Sequence, residues 1–399
     1  MTFLELDEYG AAISVPLSDA EGRALTLSRV VEAAPDPFTP GQWRIRAEGK
    51  VGAAKVHLPD GGTISLRISP KIPVARLLFL LGFSRSGKGW RTENVQVSED
   101  RGLLPALARL FATQADKALR QGFLKGYRSI DETAIVMRGR VRMTEQSRRH
   151  HGRLVPLELT RDEFTDDIAE NRLILAACER LLRLPDGIPA AARGQLLRLR
   201  ARLSGITPLQ RGGKPPTWYA SRLNARYHRA LRLADIVLRG ASVEHHPGDV
   251  TVSGFIFDMA RVFEDFVTAA LREALAERQG YCVLQARHFL DEHKAVRIIP
   301  DFVRYSADGT PLAVADAKYK AERPAGFPDA DLYQMLAYCT ALDLPTGHLI
   351  YAKGNGARAS HRIRHSGITV HQHALDLDQS PAELRRSIET LARFLTSEI

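Results

Sequence analysis

The stretch Val296–Lys320 reads VRIIPDFVRYSADGTPLAVADAKYK. Two apolar runs are joined by Ser306-Ala307-Asp308-Gly309, which has the composition of a hairpin turn. Charges in buried strands are costly unless something pairs with them. Yet the first run contains Pro300-Asp301 and the second ends in Asp316-Ala317-Lys318. An antiparallel hairpin sets Asp301 beside Asp316, and Asp316 and Lys318, two residues apart on a strand, share a face. Two carboxylates at close range repel unless a divalent cation lies between them. Mg²⁺, or Mn²⁺ in its place, polarises a phosphoryl oxygen and lowers the pKa of a bound water. Lys318 then orients that water or stabilises the developing charge. The pattern therefore suits hydrolysis of a phosphodiester, with Asp301, Asp316 and Lys318 as catalytic candidates. Glu264, at the edge of the apolar stripe of a preceding helix, is the candidate third acid and metal ligand.

The flanks of this stretch read as a layered α/β domain. Met259, Val262, Phe263, Phe266, Val267, Ala270 and Leu271 recur at helical spacing within Asp258–Glu277. Strands are expected at about Cys282–Phe289, Arg297–Tyr305 and Pro311–Tyr319, then a helix at Asp329–Leu342 and strands at Gly347–Ala352 and Gly367–His373. A last helix opens on Ser380-Pro381-Ala382-Glu383, with an N-cap serine and a capping-box glutamate. Strands and helices in this order predict a central mixed sheet. In the Asp329–Leu342 helix, Asp331, Gln334 and Tyr338 fall at i, i+3 and i+7 and share one face. An otherwise apolar helix has little reason to line up three polar groups, a solvated polar face being the alternative.

The chain has 399 residues, too many for one ordinary core. Lys and Arg number 56 against 46 Asp and Glu, a net +10 that favours a polyanionic partner, nucleic acid above all. The three cysteines, Cys178, Cys282 and Cys339, form no CxxC pair, which excludes zinc-ribbon and thioredoxin-like readings. No apolar run is long enough for a bilayer and the acidic N-terminus is no signal peptide, so a cytoplasmic protein with no membrane partner is expected. Residues 1–75 look β-rich, with Glu48-Gly49 and Asp60-Gly61-Gly62 as punctuation; residues 102–124 have helical spacing. Helices are expected over Thr165–Leu184 and Trp218–Leu238, and Val243–Thr251 is the clearest boundary. The expectation is an α+β multidomain chain: a β-rich domain over 1–145, a helical middle over 146–245, and an α/β domain over 246–399. Gly82–Gly89, GFSRSGKG, mimics a phosphate-binding loop, but Gly89 replaces the required hydroxyl and the run before it reads as helix.

Pro300-Asp301, Asp316-Ala317-Lys318 and Gln334-x-x-x-Tyr338 resemble the PD-(D/E)xK nuclease fold, in its RecB-like branch. Four stretches in order resemble the McrC family, the nuclease subunit of McrBC modification-dependent restriction systems. They are Ile68-Ser69-Pro70-Lys71-Ile72, Gly122–Tyr127 with Met137-Arg138-Gly139-Arg140-Val141, Asp162–Asp167 leading to Glu170-Asn171-Arg172, and the nuclease motif itself. The resemblance spans roughly residues 35–375. It implies Mg²⁺-dependent DNA cleavage, with Gln334 and Tyr338 supporting the site and the DNA backbone. It also implies docking, through the N-terminal domain, on a hexameric McrB-like AAA+ GTPase, so that GTP enters only through that partner. Two rivals stay open: a non-catalytic activator of the ring with a vestigial site, and a stand-alone RecB-like nuclease.

Overall fold

Strand Thr251–Asp258 determines how the chain divides. It pairs antiparallel with Lys50–His57 along its whole length, from Thr251 opposite His57 to Asp258 opposite Lys50. The computed structural model describes residues 2–86, 102–184, 188–210, 213–240, 244–245, 250–319, 329–352 and 359–397. In it, one five-stranded sheet runs in the order Thr2–Asp7, Thr63–Ser69, Lys50–His57, Thr251–Asp258 and Glu244–His245. Leu4, Leu6, Val56, Ile64, Leu66, Ile68 and Val252 alternate into a common core, as period-two patterning requires. Gly52, at φ 130, lets the two central strands close up: a Cβ there would lie 2.0 Å from the Phe255 carbonyl oxygen.

Two compact units result. Met1–Ala106 joins Gly240–Ile399 in one, and Leu107–Arg239 forms the other. The boundaries expected at 145 and 245 differ from this division, because N-terminal and C-terminal segments share a sheet. A helix interface reinforces the union. Helix Val74–Ser86 meets helix Met259–Ala274, where Phe79 and Phe83 set their rings 5.8 and 5.3 Å from that of Phe266. The first of these helices covers the start of the phosphate-loop mimic; Gly87-Lys88-Gly89 lie outside the described residues.

The same unit holds a six-stranded mixed sheet in the order Tyr281–Leu284, Phe302–Tyr305, Pro311–Lys318, Thr346–Ala352, Thr369–Leu375 and Ala359–Arg362. The first three strands are antiparallel, and Pro311–Lys318, Thr346–Ala352 and Thr369–Leu375 are parallel. Helix Asp329–Leu342 covers one face through Met335, Tyr338, Cys339 and Leu342. The last helix, Pro381–Ser397, carries the expected capping box. Two predicted strands are each broken. Arg297–Ile298 pairs with His288–Phe289 as a separate ribbon, and only Phe302–Tyr305 joins the large sheet. Pro300 has no N–H for a ladder, which explains the break.

The unit Leu107–Arg239 is less helical than its sequence suggests. Helices Leu103–Leu119, Ala169–Arg183, Ala190–Arg202 and His228–Arg239 accompany a sheet of Gly126–Ala134, Leu157–Thr165 and Arg140–Val141. Its two long strands are mostly polar, with few apolar side chains and no regular alternation to reveal them. Cross-strand polar pairs hold them instead: Arg161 to Glu132 at 2.9 Å, and Thr160 Oγ1 to Asp131 at 2.7 Å. Two of the family-like stretches have structural duties. Gly139, at φ 92, lets its strand approach Leu157–Thr165, where a Cβ would lie 2.4 Å from the Thr160 carbonyl oxygen. Asp167 binds Arg172 and Thr207 at 2.6–2.9 Å, and the Arg172 guanidinium holds its carboxyl far below the usual range. Buried Asn171 donates to the carbonyls of Leu124 and Asp166. Among the described residues no helix is long and apolar enough to cross a membrane.

Candidate active site

The break at Pro300 places Asp301 one residue before strand Phe302–Tyr305, and that strand's register sets Phe302 opposite Ala315. Asp301 therefore stands opposite Asp316, and its Oδ2 accepts the Ala317 N–H at 2.9 Å. Asp316 is 3% exposed. Its Oδ2 has no hydrogen-bond donor aligned with it, and the Lys318 ammonium lies against it as an ion pair. Lys318 Nζ also donates to Gln334 Oε1 at 2.7 Å. The hairpin and the helix thus bring Asp301, Asp316, Lys318 and Gln334 together.

Burial, and next the Asp316 charge, push the Asp301 carboxyl up to about 8; the Ala317 N–H opposes this only in part. Burial works against the Lys318 ammonium, but Asp316 and Asp301 outweigh it and its pKa moves up. Lys318 accordingly stays charged. A pair of carboxylates that resists double ionisation fits a hard divalent cation, which characteristically takes one or two carboxylates. Glu264 adds negative potential at Asp301, and its Oε1 accepts from Gln285 Nε2 at 2.7 Å. Among the described residues, no three His, Cys, Asp or Glu side chains are already grouped as a metal cage. Glu264 thus stands beside the pair, close enough for its charge to act on Asp301. Tyr338 lies beside the same acids and hydrogen-bonds Gln334. It is 4% exposed, and its hydroxyl donates to the Ile299 carbonyl at 3.3 Å, tying the helix to the segment before Pro300.

Further residues support the cluster that patterning did not assign. Asp331, 4% exposed, accepts from the Tyr351 hydroxyl at 3.0 Å. Tyr351 is the parallel-strand partner of Lys318. The i, i+3 relation of Asp331 to Gln334 was the available signal. Tyr319, next to Lys318, hydrogen-bonds the carboxylate of buried Glu8, which also accepts the Lys71 N–H at 3.0 Å. Glu8 and Tyr319 lie far apart in sequence, and no spacing rule connects them. The Pro70-Lys71-Ile72 segment thus braces the end of strand Pro311–Lys318.

Fold and site together define an α+β protein with an acidic, lysine-paired centre on a mixed sheet. A family model described as McrBC 5-methylcytosine restriction system component matches residues 45–352, more than half of the chain. The chain belongs to this family. Its fold is similar to that in a refined half-complex from a tetradecameric assembly of Thermococcus gammatolerans McrB AAA+ hexamers with bound McrC. That likeness has a TM-score of 0.58 at 18% identity and covers 100% of both chains. A cryo-EM structure of the Thermococcus gammatolerans McrBC complex aligns with 70% of this chain and 90% of its own, at 19% identity and a TM-score of 0.37. A comparison with curated protein sequences found no match.

Proposed function

We propose that the chain is the DNA-cleaving subunit of a McrBC-like restriction system, a metal-dependent endodeoxyribonuclease of the PD-(D/E)xK type. The observation that carries this reading is the meeting of Asp301, Asp316 and Lys318 on adjoining strands, with Lys318 bonded to Gln334. Asp301 and Asp316 would hold Mg²⁺ or Mn²⁺. Such an ion supplies Lewis acidity at the phosphoryl oxygen and an acidified water. Lys318, kept cationic by the acids beside it, orients the attacking water and offsets charge on the phosphate. Gln334 fixes the Lys318 ammonium, and Tyr338 fixes the loop that presents Asp301.

The partner in this reading is a hexameric McrB-like AAA+ GTPase, and GTP acts through that ring. Family membership supports it. So does an exposed apolar run, Ile135, Val136 and Met137, at the turn after strand Gly126–Ala134, since such patches mark interaction sites. The test is Asp316→Asn. DNA nicking in Mg²⁺ should vanish while ring binding and GTPase stimulation persist. Cutting at the wild-type rate would reject the site assignment.

A further inference from the structure

Gln285 touches two members of the acidic centre at once. Its backbone N–H donates to the Asp301 carbonyl at 3.0 Å, extending the ladder beyond the Leu284–Phe302 pair. Its side-chain amide donates to Glu264 Oε1 at 2.7 Å. It does so at φ 50, a left-handed conformation in which glutamine is uncommon. Backbone strain of this kind persists where the surroundings hold it, and it gathers at functional sites. Here strand Tyr281–Leu284 ends and the chain turns toward the separate ribbon at His288–Phe289. A glycine would take that turn without strain and could make the same backbone bond. It could not supply the amide.

The chemistry of the amide suits the place. Asp301 already feels the charges of Asp316 and Glu264. A lysine at 285 would compete with a cation, and a glutamate would add a fourth carboxylate. A primary amide brings donors and no charge, and here it engages one of the two Glu264 oxygens. Hydrogen-bond partners of the acids around a metal site tune how tightly it holds its ion.

We infer that Gln285 is a positioning residue, whose amide holds the Glu264 carboxylate beside Asp301 at the cation site. The inference rests on the two-carboxylate reading proposed above. The test is a calorimetric titration of the full-length chain with Mn²⁺, in the absence of DNA. Wild type is compared with Gln285→Ala, Gln285→Gly and Asp316→Asn, and thermal unfolding is followed for each. Loss of an outer partner should weaken Mn²⁺ binding about tenfold. Gln285→Ala and Gln285→Gly should both show that loss, and Gln285→Gly should unfold no lower than wild type. A purely structural role predicts the reverse for glycine, which would bind Mn²⁺ normally, and that result overturns the inference. So does wild-type affinity in Gln285→Ala when Asp316→Asn has lost binding, which leaves the acid pair itself standing. Wild-type affinity in Asp316→Asn removes the cation reading, and this inference with it.

Discussion

Lys318 is held from two sides, by the Asp316 carboxylate and the Gln334 amide oxygen. Replacing it with Met leaves Asp316 buried with no cation beside it. Breaking a buried pair in this way costs about 3 kcal/mol or more, and urea unfolding in EDTA should register the loss. Added Mg²⁺ should restore part of it, while DNA cleavage stays absent. A second residue-scale prediction concerns His348, 1% exposed, whose Nδ1 lies 3.1 Å from His373 Nε2. Burial first, then the neighbouring His373 and His371, drives its pKa well below the usual value. The folded protein therefore resists a proton that the unfolded chain takes up below about pH 6.5. Stability should be intact above that pH and fall beneath it, by up to about 1.4 kcal/mol per pH unit. Unfolding curves at pH 7.5 and 5.5 measure this, and His348→Gln should flatten the difference. At this scale the sequence revealed Asp301, Asp316, Lys318 and Gln334, because spacing along strand and helix dictates which side chains share a face. It could not reveal Gln285, whose role depends on a left-handed backbone that no composition rule assigns to glutamine.

Among elements, legibility followed the hydrophobic pattern. Helices Met259–Ala274 and Pro381–Ser397 have strong apolar stripes, the second also the expected capping box, and they appear close to where the sequence puts them. Strands Gly126–Ala134 and Leu157–Thr165 were missed because ion pairs and hydroxyl–carboxylate bonds hold them where apolar faces usually would. The predicted helix from Trp218 begins only at a 3-10 turn, Ala225–Tyr227, because the Asn224 side chain accepts the Ser221 N–H and shapes a turn first. Strand Pro311–Lys318 was predicted, but its anchorage was not. Glu8→Ala removes the acceptor for the Lys71 N–H and the Tyr319 hydroxyl, both partly or wholly buried. Orphaning such donors costs about 1–3 kcal/mol. The variant should melt lower and cut more slowly, and Glu8→Gln, which keeps an acceptor oxygen, should recover much of both.

Across the whole molecule, charge is unevenly shared. Leu107–Arg239 has 26 Lys and Arg against 13 Asp and Glu, a net +13, while the rest has 30 against 33, a net −3. The basic balance that suggested a polyanion therefore belongs to the unit without the acidic centre. Helix Ala190–Arg202 contains four arginines and no acid. Replacing Arg193, Arg198 and Arg200 with Gln should lower the salt needed to elute the chain from heparin, with little change in melting temperature. The shared sheet makes another prediction. Residues 246–399 expressed alone lose the partner of Thr251–Asp258, so the fragment should be unfolded by circular dichroism. Co-expression with residues 1–106 should recover soluble material. Short-range spacing and alternation were enough to read the acid pair, its lysine, the mixed sheet and the order of the family motifs directly from the residues. It took the folded arrangement to show that the two ends of the chain make one unit, that Glu8 braces strand Pro311–Lys318, and that Gln285 reaches Glu264. Those outcomes depend on pairings between residues remote in sequence, which local patterns do not encode.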